Sequence, residues 1–128
     1  MRVILDTSVL LRPPPELGDA EVAISAISLA ELHFGVLVAQ APQVRAERVR
    51  RLGAIENAFD ALPVDDAVAR DYGQLAAAVA AAGRQPRARV ADLLIAATAR
   101  THQAELWTRN PDDLIGLDSL IAIRPLTG

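Results

Sequence analysis

The 128-residue chain has no cysteine and no lysine, and only four of its residues are aromatic. Without cysteine there is no disulfide framework, no thiolate zinc site and no cysteine nucleophile. The two histidines, His33 and His102, are too few and too separated for a nitrogen-ligated zinc site. Four aromatics leave little for a platform that grips single-stranded bases by stacking. They also force a core of Leu, Ile, Val and Ala. All 13 cations are arginine and the net charge is −3. This balance excludes a protein that coats nucleic acid through bulk positive charge, but not an enzyme with a local basic patch. The first apolar run breaks at Asp6, too early for a signal-peptide core. No uncharged apolar stretch approaches the roughly 20 residues of a membrane span. A cytoplasmic protein without membrane contact is the expectation.

What is present is aliphatic. Alanine is the commonest residue, with 25 copies, and with Arg in place of Lys this is the composition a GC-rich coding sequence produces. A chain of this length forms one domain, here residues 1–128, and buries roughly two-thirds of its unfolded surface. Residues 3–5 form an apolar run that closes on Asp6-Thr7-Ser8, a strand running into a turn or helix cap. Pro13, Pro14 and Pro15 make residues 11–18 a loop. A second strand follows at 22–27, then a helix over 28–39 capped by Ser28, with Leu29, Leu32 and Val36 on its inner stripe. Pro42 breaks that helix. An amphipathic helix covers 43–61, turning Val49, Leu52, Ile55 and Phe59 inward, and a short strand falls at 62–64.

Asp65 or Asp66 caps a helix over 67–82 that stops at Gly83. A basic loop at 84–89 leads to an apolar helix at 90–101. A strand at 106–108, a short helix and a last strand near 121–123 complete the chain. Strands that are continuous apolar runs and alternate with helices predict an α/β fold. Its sheet is mostly parallel, has four to five strands and carries helices on both faces. In such sheets ligands bind beyond the carboxyl ends of the strands, where Asp6 and Asn110 fall.

Three of the 16 acids stand in apolar surroundings: Asp6 between Leu5 and Val9, Glu31 in Leu29-Ala30-Glu31-Leu32, and Asp92 in Ala91-Asp92-Leu93-Leu94. Each alone has an ordinary explanation as a helix cap, a solvated helix position or an arginine partner. Together, each at a strand end or helix start, they can converge on one pocket. A carboxylate in apolar surroundings needs compensation, and a hard divalent cation supplies it. Oxygen-only ligands suit Mg²⁺ or Mn²⁺, and the chemistry that uses such a site is phosphodiester hydrolysis.

The segments Asp6-Thr7-Ser8, Ser28-Leu29-Ala30-Glu31-Leu32 with Gly35, Ala91-Asp92-Leu93-Leu94-Ile95 and Thr108-Arg109-Asn110 resemble, in order and spacing, the PIN-domain family. More narrowly they resemble its VapC-type toxins of bacterial toxin–antitoxin modules. The resemblance runs from Val3 to Pro125, and Asp71-Tyr72-Gly73 fits it as well. It implies a single PIN-like domain and a Mg²⁺- or Mn²⁺-dependent endoribonuclease acting on RNA. Asp6, Glu31 and Asp92 would form the metal site, and Thr7, Ser8 or Thr108 would hold a water or an acid in place. The family often carries a fourth acid after Thr-Arg. This chain has Asn110 there, with Asp113 as a substitute at a distance, which implies one firmly bound ion. A VapB-type antitoxin that blocks the acidic groove, and a homodimer, are also implied.

Beside the acids, Arg87, Arg89 and Arg109 are candidate contacts for RNA phosphates, with Arg84 in the same cluster. Arg45, Arg48, Arg50 and Arg51 read as a solvated helix face. Trp107 reads as core. Two other classes remain open. One is a doubly wound phosphohydrolase with Asp6 as nucleophile, although Ser8 stands where the haloacid-dehalogenase pattern wants a second Asp and a phosphate-binding Lys is missing. The other is a catalytically weak binding module.

Overall fold

A computed structural model describes residues 1–127. Five parallel strands form one sheet: β1 (Arg2–Leu5), β2 (Glu21–Ser25), β3 (Asp60–Leu62), β4 (Glu105–Thr108) and β5 (Ile123–Pro125), in the spatial order β3-β2-β1-β4-β5. The helices are α1 (Thr7–Leu10), α2 (Ala26–Val38), α3 (Pro42–Ala58), α4 (Asp66–Ala81) and α5 (Val90–Thr101). The predicted α/β class and strand number hold.

Strand β1 is central and its side chains divide the core. Ile4 packs with Leu106 and with Leu75, Val79, Leu93 and Ala96 of α4 and α5. Val3 and Leu5 pack on the opposite face with Ile24, Trp107, Leu32, Leu52 and Ile55. Both faces are therefore covered, as a parallel sheet requires. Ala76 and Ala78 lie against the first cluster beside the alanines of α5, so the alanine-rich helix serves this chain's own core. Trp107 is buried in the second cluster, as expected, with the Arg124 guanidinium 4.6 Å above its ring. No helix among the described residues is long and apolar enough to cross a membrane.

Several boundaries differ from the sequence reading. The cap of α2 is Ser25, whose Oγ accepts from the Ile27 N–H at 3.0 Å, not Ser28. The chain passes from strand to helix without a loop, so Ser28 moves inside α2 and becomes buried. Strand β3 begins at Asp60 rather than at residue 62, because edge pairing of Ala23 with Asp60 decides it and not an apolar pattern. The last strand is Ile123–Pro125, two residues later than expected: Ile121 is core, and Leu106 pairs with Ile123. Proline is tolerated at this edge. Residues 86–89 form a 3-10 turn, as do residues 111–114.

Helix α3 starts at Pro42, in the first-turn position where its missing N–H costs nothing. It buries Leu52 and Ile55 and leaves Val49 exposed, contrary to expectation. Arginines hold its first half to α2. Arg48 Nη1 donates to the Gly35 carbonyl at 2.7 Å, and Arg45 Nη2 to the Ala39 carbonyl at 2.8 Å. These carbonyls lie at the end of α2, where unpaired acceptors and the negative helix pole attract cations. Arg45 and Arg48 are thus structural ties, while Arg45 and Arg50 remain on the exposed face expected of this run.

Candidate active site

Parallel order reverses beside β1, with β2 and β3 on one side and β4 and β5 on the other. The crevice beyond the carboxyl ends of β1 and β4 is the topological switch point, where such sheets bind ligands. Asp6 follows β1 directly, and its N–H donates to the Trp107 carbonyl at 3.0 Å, which ties the two strand ends together.

Asp6 caps α1. Its Oδ1 accepts from the Ser8 N–H at 2.6 Å and from the Ser8 hydroxyl. Its Oδ2 accepts from the Thr108 hydroxyl at 2.5 Å. Each hydroxyl in turn accepts a backbone N–H: Ser8 Oγ from Arg109 at 2.9 Å, Thr108 Oγ1 from Asn110 at 3.0 Å. Two relays of amide, hydroxyl and carboxylate therefore converge on Asp6 from the turn after β4. Oδ1 thus has both lone pairs engaged, and Oδ2 keeps one for a cation.

Glu31 is held similarly from α1. Thr7 Oγ1 donates to Glu31 Oε1 at 2.6 Å and lies 2.9 Å from Ser28 Oγ. With its proton given to Glu31, Thr7 accepts from Ser28. Ser28 was missed as a site residue and assigned to a cap. The available signal was its place three residues before Glu31, which puts both on one helix face.

Asp92 lies in the first turn of α5, half-buried. Burial above all, then the charges of Asp113, Asp6 and Glu31, raises its pKa from 3.8 to about 6, with Arg89 opposing. The other three acids predicted from sequence are therefore all felt at Asp92. Asp113 is held by Arg89, whose Nη1 donates to Oδ1 at 2.8 Å. Arg89 is thereby engaged within the protein. Arg87 is exposed and has no hydrogen-bond or ion-pair partner among the described residues. The Arg109 guanidinium donates to the Thr127 and Pro13 carbonyls at 3.2 and 3.4 Å, so what Arg109 brings to the acids is its backbone N–H. Asn110 likewise contributes its backbone N–H, and its exposed side chain makes no capping bond.

The donor set is oxygen only, which fits Mg²⁺ or Mn²⁺. Among the described residues no three acids close into a ready-made coordination shell. The charges of Asp113, Asp6 and Glu31 are nonetheless felt at Asp92. Mg²⁺ reconciles the two observations, because it usually keeps several waters and binds one or two carboxylates directly. Replacing the buried Thr108 by the isosteric Val removes one donor from Asp6 and one acceptor from Asn110. The expected result is a loss of about 10–100-fold in Mn²⁺ affinity, read by calorimetry, with the circular dichroism spectrum unchanged. An unchanged affinity would show that the relay does not orient Asp6.

Fold and site together define an acid-centred parallel α/β domain. The PIN domain family model matches residues 3–118. Ribonuclease VapC5 of Mycobacterium tuberculosis is 36% identical over 126 residues, covering 94% of this chain and 90% of that protein. Ribonuclease VapC4 of the same organism is 31% identical over 117 residues, covering 87% and 88%. Among solved structures, VapBC-5 from M. tuberculosis, a member of the VapBC family of toxin–antitoxin systems, matches with TM-score 0.81 and 33% identity over 99% of this chain and 98% of that one. FitAcB from Neisseria gonorrhoeae matches with TM-score 0.74 and 31% identity over 94% and 95%. The chain belongs to the PIN-domain family, in its VapC-type branch.

Proposed function

We propose that this chain is the toxin of a type II toxin–antitoxin pair: a Mg²⁺- or Mn²⁺-dependent endoribonuclease that hydrolyses phosphodiester bonds in RNA loops, of tRNA or ribosomal RNA, and is held inactive by a VapB-type antitoxin. The relatives named ribonucleases support the activity. The observation that carries the reading is Asp6 held by hydroxyl relays at the switch point of the sheet, with Glu31 tied to the neighbouring Thr7.

Asp6, Asp92 and Glu31 would hold the ion, which when bound acidifies a coordinated water and neutralises charge on the phosphate. Ser8 and Thr108 keep Asp6 aimed, and Thr7 keeps Glu31 aimed. Asp92, its pKa raised to about 6, is largely ionised at neutral pH, and only below that would a cation have to displace its proton. Asp113 stays on Arg89, which favours a single ion. Both oxygens of Asp6 already carry donors, an arrangement that suits a fixed ligand better than an attacking nucleophile.

The antitoxin would block this crevice, with a basic side chain drawn to the carboxylates. Leu37 and Val38 at the end of α2, 75% and 49% exposed, are apolar surface that an antitoxin or a homodimer contact would cover. The test is incubation of total cellular RNA with the purified, partner-free chain, with and without EDTA. Discrete fragments that need Mg²⁺ or Mn²⁺ are expected. Intact RNA from folded protein would move the reading to a binding module.

Among the basic candidates Arg87 is the one free to grip a phosphate. Arg87→Gln is expected to raise KM about tenfold, the worth of one charged hydrogen bond, with kcat unchanged in steady-state cleavage assays. An unaltered KM would remove Arg87 from the substrate path.

A further inference from the structure

A groove of about 710 Å³ opens beside the acid centre and shares two of its residues, Thr7 and Glu31. Leu11, Ile27 and Leu32 give it apolar walls, and α3 contributes Arg48 and Arg51. Phe34 lines it and is 66% exposed, so it is an aromatic side chain that the fold leaves outside the core. Gly35 also lines it, and a Cβ there would meet no atom within 4 Å. The two arginines differ. Arg48 is committed to the Gly35 carbonyl. Arg51 is partly buried yet has no hydrogen-bond or ion-pair partner among the described residues. A partly desolvated cation without a partner next to a flat apolar surface suits a ligand that joins an anion to a flat apolar ring.

We infer that this groove is a nucleotide subsite, taking the RNA nucleotide next to the cleaved phosphodiester, with its base on Phe34 and its outer phosphate on Arg51. The inference rests on the ribonuclease reading above. It is argued from continuity: the groove begins at Thr7 and Glu31, so a strand whose scissile phosphate lies at the acids and that leaves on this side enters the groove. Charge complementarity fits as well, because carboxylates at the crevice repel the backbone and Arg51 attracts it. Phenylalanine offers a ring face and no hydrogen-bonding edge, so the subsite accepts any base by stacking and contributes affinity more than sequence choice.

The test uses the full chain and a single-stranded oligoribonucleotide spanning a site mapped in total RNA. Phe34→Ala is expected to lower kcat/KM about tenfold, the effect of losing one stacked base. Gly35→Leu, which fills the groove and replaces a helix-interior glycine by a stronger helix former, is expected to do the same without harming the fold. Arg51→Gln is expected to weaken binding and to reduce the slope of log K against log salt by about 0.7, the signature of one lost phosphate contact on a single strand. Mn²⁺ affinity should stay at the wild-type value in all three, which separates the groove from the acid centre. Wild-type cleavage by all three variants would overturn the subsite and leave the ribonuclease reading intact. Variants that cut RNA normally but no longer bind the antitoxin would assign the groove to the protein partner, and the inference would fall. No cleavage by wild-type protein would refute the ribonuclease reading, and the subsite with it.

Discussion

Asp92→Asn is expected to make the metal-free protein more stable while abolishing RNA cleavage. In the folded chain the Asp92 carboxyl has its pKa raised from 3.8 to about 6. A group whose folded pKa is raised binds its proton more tightly in the native state. Its favourable contribution is therefore complete below pH 3.8 and is lost as the pH rises through 6. At neutral pH the ionised carboxylate strains the fold against burial and against Asp113, Asp6 and Glu31. A shift of about two units corresponds to at most roughly 3 kcal/mol. Asp92 is only half-buried, so solvent screening reduces this to about 1–2 kcal/mol. Asn keeps the shape and removes the charge. The melting temperature in EDTA at pH 7.5 should rise by about 4–8 °C. Wild-type protein should gain stability as the pH falls from 7.5 to 5, and the variant should not. Mn²⁺ should raise the melting temperature of the wild type alone. An Asn variant that melts at or below wild type in EDTA, and still responds to Mn²⁺, would mean that the acids do not share one site.

Asp6→Ala is expected to lower cleavage by on the order of a thousandfold, since the ion it would hold contributes several kcal/mol to charge stabilisation. The same change deletes the cap of α1, which costs about 1 kcal/mol by itself. Asp6→Asn separates the two losses. Its carbonyl still accepts from the Ser8 N–H, so most of the stability should return. Its amide would present a donor where the Thr108 hydroxyl already donates, and it removes the charge, so cleavage should not return. Parallel cleavage assays and melting curves check this. Recovery of activity in the Asn variant would show that Asp6 works through the cap and not as a ligand.

The candidate acids were legible on a different ground from the elements around them. Asp6, Glu31 and Asp92 stood out because an acid in an apolar run violates the local pattern, and in the fold the charges of Asp6, Glu31 and Asp113 are felt at Asp92. The hydroxyls of Thr7, Ser8 and Thr108 were anticipated as aids. The structure makes them donors to the acids, with Thr108 reaching Asp6 across 102 positions of sequence. Ser28 was misread because Ser25 and Ser28 are equally good caps by type. Only the register of β2 against β1, which ends at Leu5↔Ile24, decides between them.

Sequence alone determined the class of the fold, because uninterrupted apolar strands alternating with helices have nowhere to go but a covered parallel sheet. It also determined which acids are costly enough to need a purpose. Tertiary structure alone decided how the arginines divide, since guanidinium groups of identical chemistry differ only in what the fold sets beside them. Arg45 and Arg48 close the end of α2, Arg89 holds Asp113, the Arg109 guanidinium holds two carbonyls, and Arg51 and Arg87 are left without partners among the described residues. Charge is written in the sequence, but whether it is already spent on the protein depends on distances of about 3 Å between residues far apart in the chain.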